Sequence, residues 1–144
     1  HPNYTFNCPD LLTDGLVGMG PYNSGDFAGW YNKPFEAVVE MGDTTYSKVT
    51  LSTIVFKYDW IINPESVTVY TSEDGENFTQ VAHMDIEVEG QMDDGNGCQD
   101  YTLTFDETSA KYIKVVAETC LSLPEWHPGA GSPAFLFIDE IIVN

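Results

Sequence analysis

Apolar and polar residues alternate with a period of two along most of the chain, and no segment follows a helical period. Runs rich in Val, Ile, Thr, Tyr and Phe recur at Phe35–Met41, Lys48–Lys57, Ser66–Ser72, Phe78–Glu87, Tyr101–Phe105, Tyr112–Glu118 and Ala134–Val143. Branched and aromatic side chains pack well on a pleated surface, so these runs are predicted as strands. Turn chemistry separates them at Asp14-Gly15, Met41-Gly42-Asp43, Asn63-Pro64, Asp74-Gly75, Asp94-Gly95-Asn96-Gly97 and Pro128-Gly129, residues that favour tight turns. About seven or eight short strands at this spacing predict an all-β chain, an antiparallel sandwich or jelly roll. The first 34 residues differ. Gly, Asn, Pro and Asp dominate them, alternation is weak, and loops are predicted. A long structured loop in a compact domain is usually functional or fixed by an ion. Asp10, Asp14 and Asp26 offer the hard oxygens that Ca²⁺ selects.

Composition narrows the function. With 144 residues and 42% hydrophobic content, residues 1–144 suit one domain with its own core. Acidic residues outnumber basic ones 23 to 5, every basic residue is Lys, and the formal net charge is -18. Phosphate backbones and anionic lipid surfaces are repelled by such a chain, so nucleic acid is excluded as a partner and membrane insertion is not expected. No run of about 18 apolar residues occurs, so no membrane-spanning helix is expected. The chain starts at His1, without Met or an apolar leader, which points to a piece processed or excised from something longer. A monomer is expected.

Catalysis has little support. Asp139 and Glu140 are adjacent on a predicted strand, which sends their side chains to opposite faces and rules out an acid/base pair. No Gly-x-Ser-x-Gly or phosphate-cradling loop is present. Cys8, Cys98 and Cys120 are too few for a disulfide framework and lack zinc-site spacing. If Asp106 to Ala110 turns a hairpin, Cys98 and Cys120 fall opposite one another. They then form either a cross-strand disulfide of an oxidising compartment or two free thiols.

Binding has more support, because a sugar ring packs its C–H face on an aromatic ring while its hydroxyls need a few fixed polar partners. Three loops pair the two: Trp30-Tyr31-Asn32, Tyr58-Asp59-Trp60 and Trp126-His127, the last within Leu123-Pro124-Glu125-Trp126-His127-Pro128-Gly129. The sugar-site candidates are therefore Trp30, Tyr31, Asn32, Asp59, Trp60, Trp126 and His127. Each Trp can instead cap the sandwich core, and His127 can instead brace its loop.

Several motifs follow one another in a familiar order. They are Leu12-Thr13-Asp14-Gly15, Gly29-Trp30, Val38-Val39-Glu40-Met41-Gly42, Pro64-Glu65-Ser66-Val67, Thr71-Ser72-Glu73-Asp74-Gly75-Glu76-Asn77-Phe78, Ala110-Lys111-Tyr112-Ile113-Lys114-Val115 and Asp139-Glu140-Ile141-Ile142-Val143. Together they resemble the discoidin, or coagulation factor V/VIII type C, superfamily. The Leu-Pro-x-Trp-His-Pro-Gly-x-Gly ending is similar to the C-terminal accessory domain of bacterial family 20 β-N-acetylhexosaminidases, the chitobiase-like enzymes. The resemblance implies an eight-stranded antiparallel jelly-roll sandwich. It further implies a non-catalytic, family 32-like carbohydrate-binding module on a secreted, periplasmic or cell-surface glycoside hydrolase. The covalently linked catalytic domain would be one partner, and a galactose or N-acetylhexosamine glycan the other. It also implies a structural Ca²⁺ held by Asp14 and Glu140, with Asp26 a looser candidate. One departure stands out: family members often set an Arg at the sugar, and this chain has none.

Overall fold

The computed structural model describes residues 1–4, 10–88 and 90–144. Its strands are β1 (Ala28–Tyr31), β2 (Phe35–Glu40), β3 (Tyr46–Val55), β4 (Ser66–Ser72), β5 (Thr79–Asp85), β6 (Gly97–Thr108), β7 (Tyr112–Glu118) and β8 (Phe135–Val143). They form two four-stranded sheets, ordered β1-β8-β3-β6 and β2-β7-β4-β5, and every pairing of strands is antiparallel. This is the expected jelly-roll sandwich.

The alternating residues decide the interior. Val67 and Val69 of β4, Ile113, Val115 and Ala117 of β7, and Leu136, Ile138 and Ile141 of β8 meet between the sheets. Fully burying one such aliphatic side chain contributes about 1.5–3 kcal/mol. The β8 sheet is also covered on its outer face, where Phe27, Ile54, Ile61 and Phe137 pack with Tyr4 and Tyr22. A strand buried on both faces needs no alternation, which explains why Ala134 to Ile138 reads as a continuous apolar run.

Two expectations change. The first 34 residues are not all loop, because β1 pairs with β8 from Ala28↔Ile138 to Tyr31↔Phe135. It is an edge strand of only four residues, and its Gly29 admits the Phe137 ring and Tyr4 where a Cβ would lie 2.9 and 3.0 Å from them. Nor do β6 and β7 form a hairpin: β6 pairs with β3 in one sheet, and β7 lies between β2 and β4 in the other. The chain crosses between sheets at residues 109–111, pinned by the Tyr46 hydroxyl donating to the Ala110 carbonyl at 2.8 Å. The proposed Cys98–Cys120 bridge therefore fails, and both cysteines are free thiols. Cys98 sits on β6 opposite Ile54, whereas Cys120 packs with Ile62, Leu123 and Ala134. Cys8 lies outside the described residues.

Candidate functional site

The segment that follows β3 is a compact turn. Phe56 and Ile61 exchange two backbone hydrogen bonds, Phe56 N to Ile61 O at 2.9 Å and Ile61 N to Phe56 O at 3.2 Å. Lys57–Asp59 forms a single 3₁₀ turn between them, and Trp60 closes it in the left-handed region at φ 64°. Left-handed backbone is uncommon for a side chain this large, and such strain gathers where a side chain must be aimed. Trp60 is aimed outward, at 37% exposure.

The loop before β8 supports that ring. A Cβ on Gly129 would lie 2.8 Å from the Trp60 ring atoms Cε2 and Cζ2, so the glycine makes room for the indole. The His127 ring meets Trp60 edge to face at 6.2 Å. His127 is only 3% exposed, and both ring nitrogens are engaged: Nδ1 accepts from the Gly129 N–H at 2.9 Å, which leaves Nε2 to donate to the Lys57 carbonyl at 2.7 Å. His127 thus braces two loops and has no free ring nitrogen for a sugar hydroxyl. Trp126 is half-buried, with the Lys57 ammonium 5.2 Å from its ring centroid. Lys57 itself is fully buried, its Nζ donating to the Gln91 carbonyl at 2.7 Å and its backbone N–H to Asn96 Oδ1.

Trp30 goes to the core. Its ring meets Phe35 edge to face at 4.8 Å and packs against the residues between the sheets. Tyr31 stacks on Phe135 at 4.5 Å, and the Phe135 N–H donates to the Trp60 carbonyl at 2.8 Å, which brings β1 to the same end of the sandwich. Asn32 follows, exposed, at φ 55°. Asp59 is exposed beside Trp60, and its carboxylate raises the pKa of the Tyr22 phenol. The three loops do converge, and of their three tryptophans only Trp60 is exposed.

The acids separate differently. Two residues of β8 face one of β3 between the pairs Ser52↔Glu140 and Thr53↔Ile138, so Asp139 is the extra residue of a β-bulge. The bulge overturns the opposite-face reading of Asp139 and Glu140: both accept from one loop, Glu140 Oε1 from Gly15 N–H at 3.2 Å and Asp139 Oδ2 from Gly18 N–H at 2.7 Å. Burial raises both pKa values, and the Asp14 charge adds to the rise at Glu140. Each acid keeps one buried oxygen, Asp139 Oδ1 and Glu140 Oε2, without a hydrogen-bond partner among the described residues. Asp26 is engaged elsewhere, accepting from Ser24 Oγ at 2.7 Å. Among the described residues no three acidic, His or Cys side chains converge as a metal site, so Asp14, Asp26 and Glu140 do not form one ligand set. The orphaned buried Oε2 of Glu140, with Asp14 beside that side chain, nonetheless fits a hard cation whose shell is completed by backbone or water oxygens.

A family model, that of the F5/8 type C domain, matches residues 9–136 of the chain. The chain belongs to the F5/8 type C (discoidin) family. Solved F5/8 type C-like structures share its fold at low identity. A Streptococcus pneumoniae β-galactosidase structure is 14% identical, covering 94% of this chain and 85% of its own, with a TM-score of 0.58. The family 32 module of AlyQ, in complex with 4,5-unsaturated mannuronic acid, is 15% identical, covers 98% and 88%, and gives 0.56. The C-terminal domain of a Bacteroides fragilis chitobiase is 18% identical, covers 95% and 79%, and gives 0.50. No curated protein sequence matches the chain.

Proposed function

We propose that this F5/8 type C domain is a non-catalytic carbohydrate-binding module of a bacterial glycoside hydrolase acting outside the cell, and that Trp60 is its sugar platform. The observation that carries the reading is the built display of Trp60. Its backbone is left-handed, its edge is seated on Gly129 and His127, and its ring remains open. A fixed ring costs little further ordering when a sugar packs on it, and the adjacent, exposed Asp59 supplies a polar group beside it. Trp126 and His127 then act as supports of the platform. The parent enzyme and its secretion rest on the kind of protein the similar structures come from. Within the same reading Ca²⁺ is a structural ion held by Glu140 and Asp14, supplying charge neutralisation where buried carboxylates meet the N-terminal loop.

Isothermal titration with galactose, N-acetylglucosamine and N-acetylgalactosamine tests the platform. Weak binding of at least one sugar is expected, with Kd on the order of 0.1 to several mM, as suits a shallow wet site. Trp60→Ala should abolish it. Unchanged affinity in that variant, or no binding of any sugar, would transfer the domain to an inert packing role in its parent enzyme.

A further inference from the structure

Trp60 is not alone on its turn. Phe56, Tyr58 and Trp60 stand at alternate positions and are 40%, 57% and 37% exposed, while Lys57 and Ile61 between and beside them are buried. The rings continue sideways onto the N-terminal loop: Tyr58 lies 6.3 Å from Phe56, and Phe56 lies 6.3 Å from Tyr22. Tyr22 in turn packs edge to face on Phe137 at 5.2 Å, so the far end of the strip is anchored in the core. Beside it Pro21, Tyr22, Ile54 and Phe56 line an apolar hollow of about 140 Å³.

The polar tip of Tyr58 is fastened down, its hydroxyl donating to Asp93 Oδ1 at 2.5 Å, and Tyr22 lies within the influence of the Asp59 carboxylate. A fastened hydroxyl leaves the ring face fixed, and a row of aromatic faces is far longer than one sugar unit requires. Charge decides what can lie on it. Asp59 and Asp93 are exposed beside the strip, whereas the lysine of this turn, Lys57, points its ammonium inward to Gln91 and Trp126. A uronate or sulfated chain would bring like charge to these carboxylates.

We infer that the Tyr22–Phe56–Tyr58 strip is an additional subsite that extends the Trp60 platform, so that the domain grips an oligosaccharide free of acidic groups along several units. The inference rests on the Trp60 reading, and it adds the class of ligand: an extended, neutral or amine-bearing glycan. The bound chain runs from Trp60 over Tyr58 and Phe56 towards Tyr22, its C–H faces on the rings and its hydroxyls or amines facing Asp59 and Asp93.

The test titrates the full chain with monomer, dimer, trimer and tetramer of N-acetylglucosamine, of glucosamine and of a uronic acid. Affinity should rise about tenfold from monomer to trimer or tetramer in the neutral or the amine-bearing series, as one or two added stacked rings would give, and no uronate oligomer should bind. Tyr58→Ala and Phe56→Ala should return the oligomer to the monomer's affinity and leave the monomer unaffected, with melting curves confirming that each variant is folded. Tyr58→Phe, which keeps the ring and loses only the tether, should retain most of the gain. Binding of monomer and oligomer with equal affinity, or indifference of the oligomer to both Ala variants, overturns the subsite and leaves the Trp60 platform standing. Tight uronate binding overturns the charge argument, and absence of all binding overturns both.

Discussion

At the scale of single residues, local chemistry is where this chain speaks most clearly. Asp74 closes the turn between β4 and β5. Its Oδ1 accepts from Ser72 Oγ at 2.9 Å, Glu76 N–H at 2.9 Å and Asn77 N–H at 2.8 Å, and its Oδ2 accepts from Asn77 Nδ2 at 2.7 Å. Gly75 beside it takes φ 74°. Hydrogen bonds to the ionised form hold the carboxyl well below its ordinary value of 3.8. A folded-state pKa below the unfolded one contributes stability above the unfolded value, and that contribution is lost as pH falls beneath it. Asp74→Asn should therefore melt at lower temperature than the parent at pH 7, and the gap should narrow steadily below about pH 4. A gap that is the same at pH 7 and pH 3 would mean that the ionised carboxylate contributes nothing to the turn.

At the scale of elements, two loops cooperate to hold one ring, and the contact that joins them is a missing side chain. Gly129 has no Cβ to meet the Trp60 ring at 2.8 Å, so Gly129→Ala must push the indole aside. Overpacking costs about 1–3 kcal/mol where the neighbours cannot yield. A ring 37% exposed can yield, so affinity suffers more than stability. Sugar affinity should fall about tenfold while the melting temperature moves by only a few degrees, read by titration and calorimetry on the same preparation; full affinity would detach this loop from the platform. The same elements show what a sequence conveys. Ser66–Ser72 and Tyr112–Glu118 were legible residue for residue because alternation directly reports a half-buried strand. Ala28–Tyr31 was not, since four residues carry no readable period and Gly weakens the pattern. The bulge at Asp139 and the crossing from β6 to β7 were hidden too, because both depend on which strands lie alongside, and pairing is a non-local property. Aromatic–polar pairs located the right end of the sandwich. They could not tell that Trp30 turns inward and Trp60 outward, nor that Tyr22 and Phe56 join the exposed rings.

At the scale of the whole molecule, net charge and the buried acids become one question. A chain with formal charge -18 repels itself when compact, and it nevertheless buries Asp139 and Glu140 under its N-terminal loop. A structural Ca²⁺ at Glu140 and Asp14 would relieve both, joining the loop to β8. An ion that binds only the folded state stabilises it by about 2.7 kcal/mol at a hundredfold excess over Kd, enough to raise the melting temperature by several degrees. Any salt screens a surface this acidic, so a rise in melting temperature with Ca²⁺ is not by itself evidence for a site. The discriminating comparison sets mM Ca²⁺ against NaCl of matched ionic strength, in the parent and in Glu140→Gln. The parent should gain several degrees with Ca²⁺ beyond the NaCl effect and lose them with excess EDTA. Glu140→Gln keeps the side-chain shape and an acceptor for the Gly15 N–H, so it should retain the NaCl response and lose the Ca²⁺ increment. Equal responses to the two salts in the parent, or an undiminished Ca²⁺ increment in the variant, would remove Glu140 from the ion and leave its buried oxygen to be satisfied by the proton that its raised pKa favours.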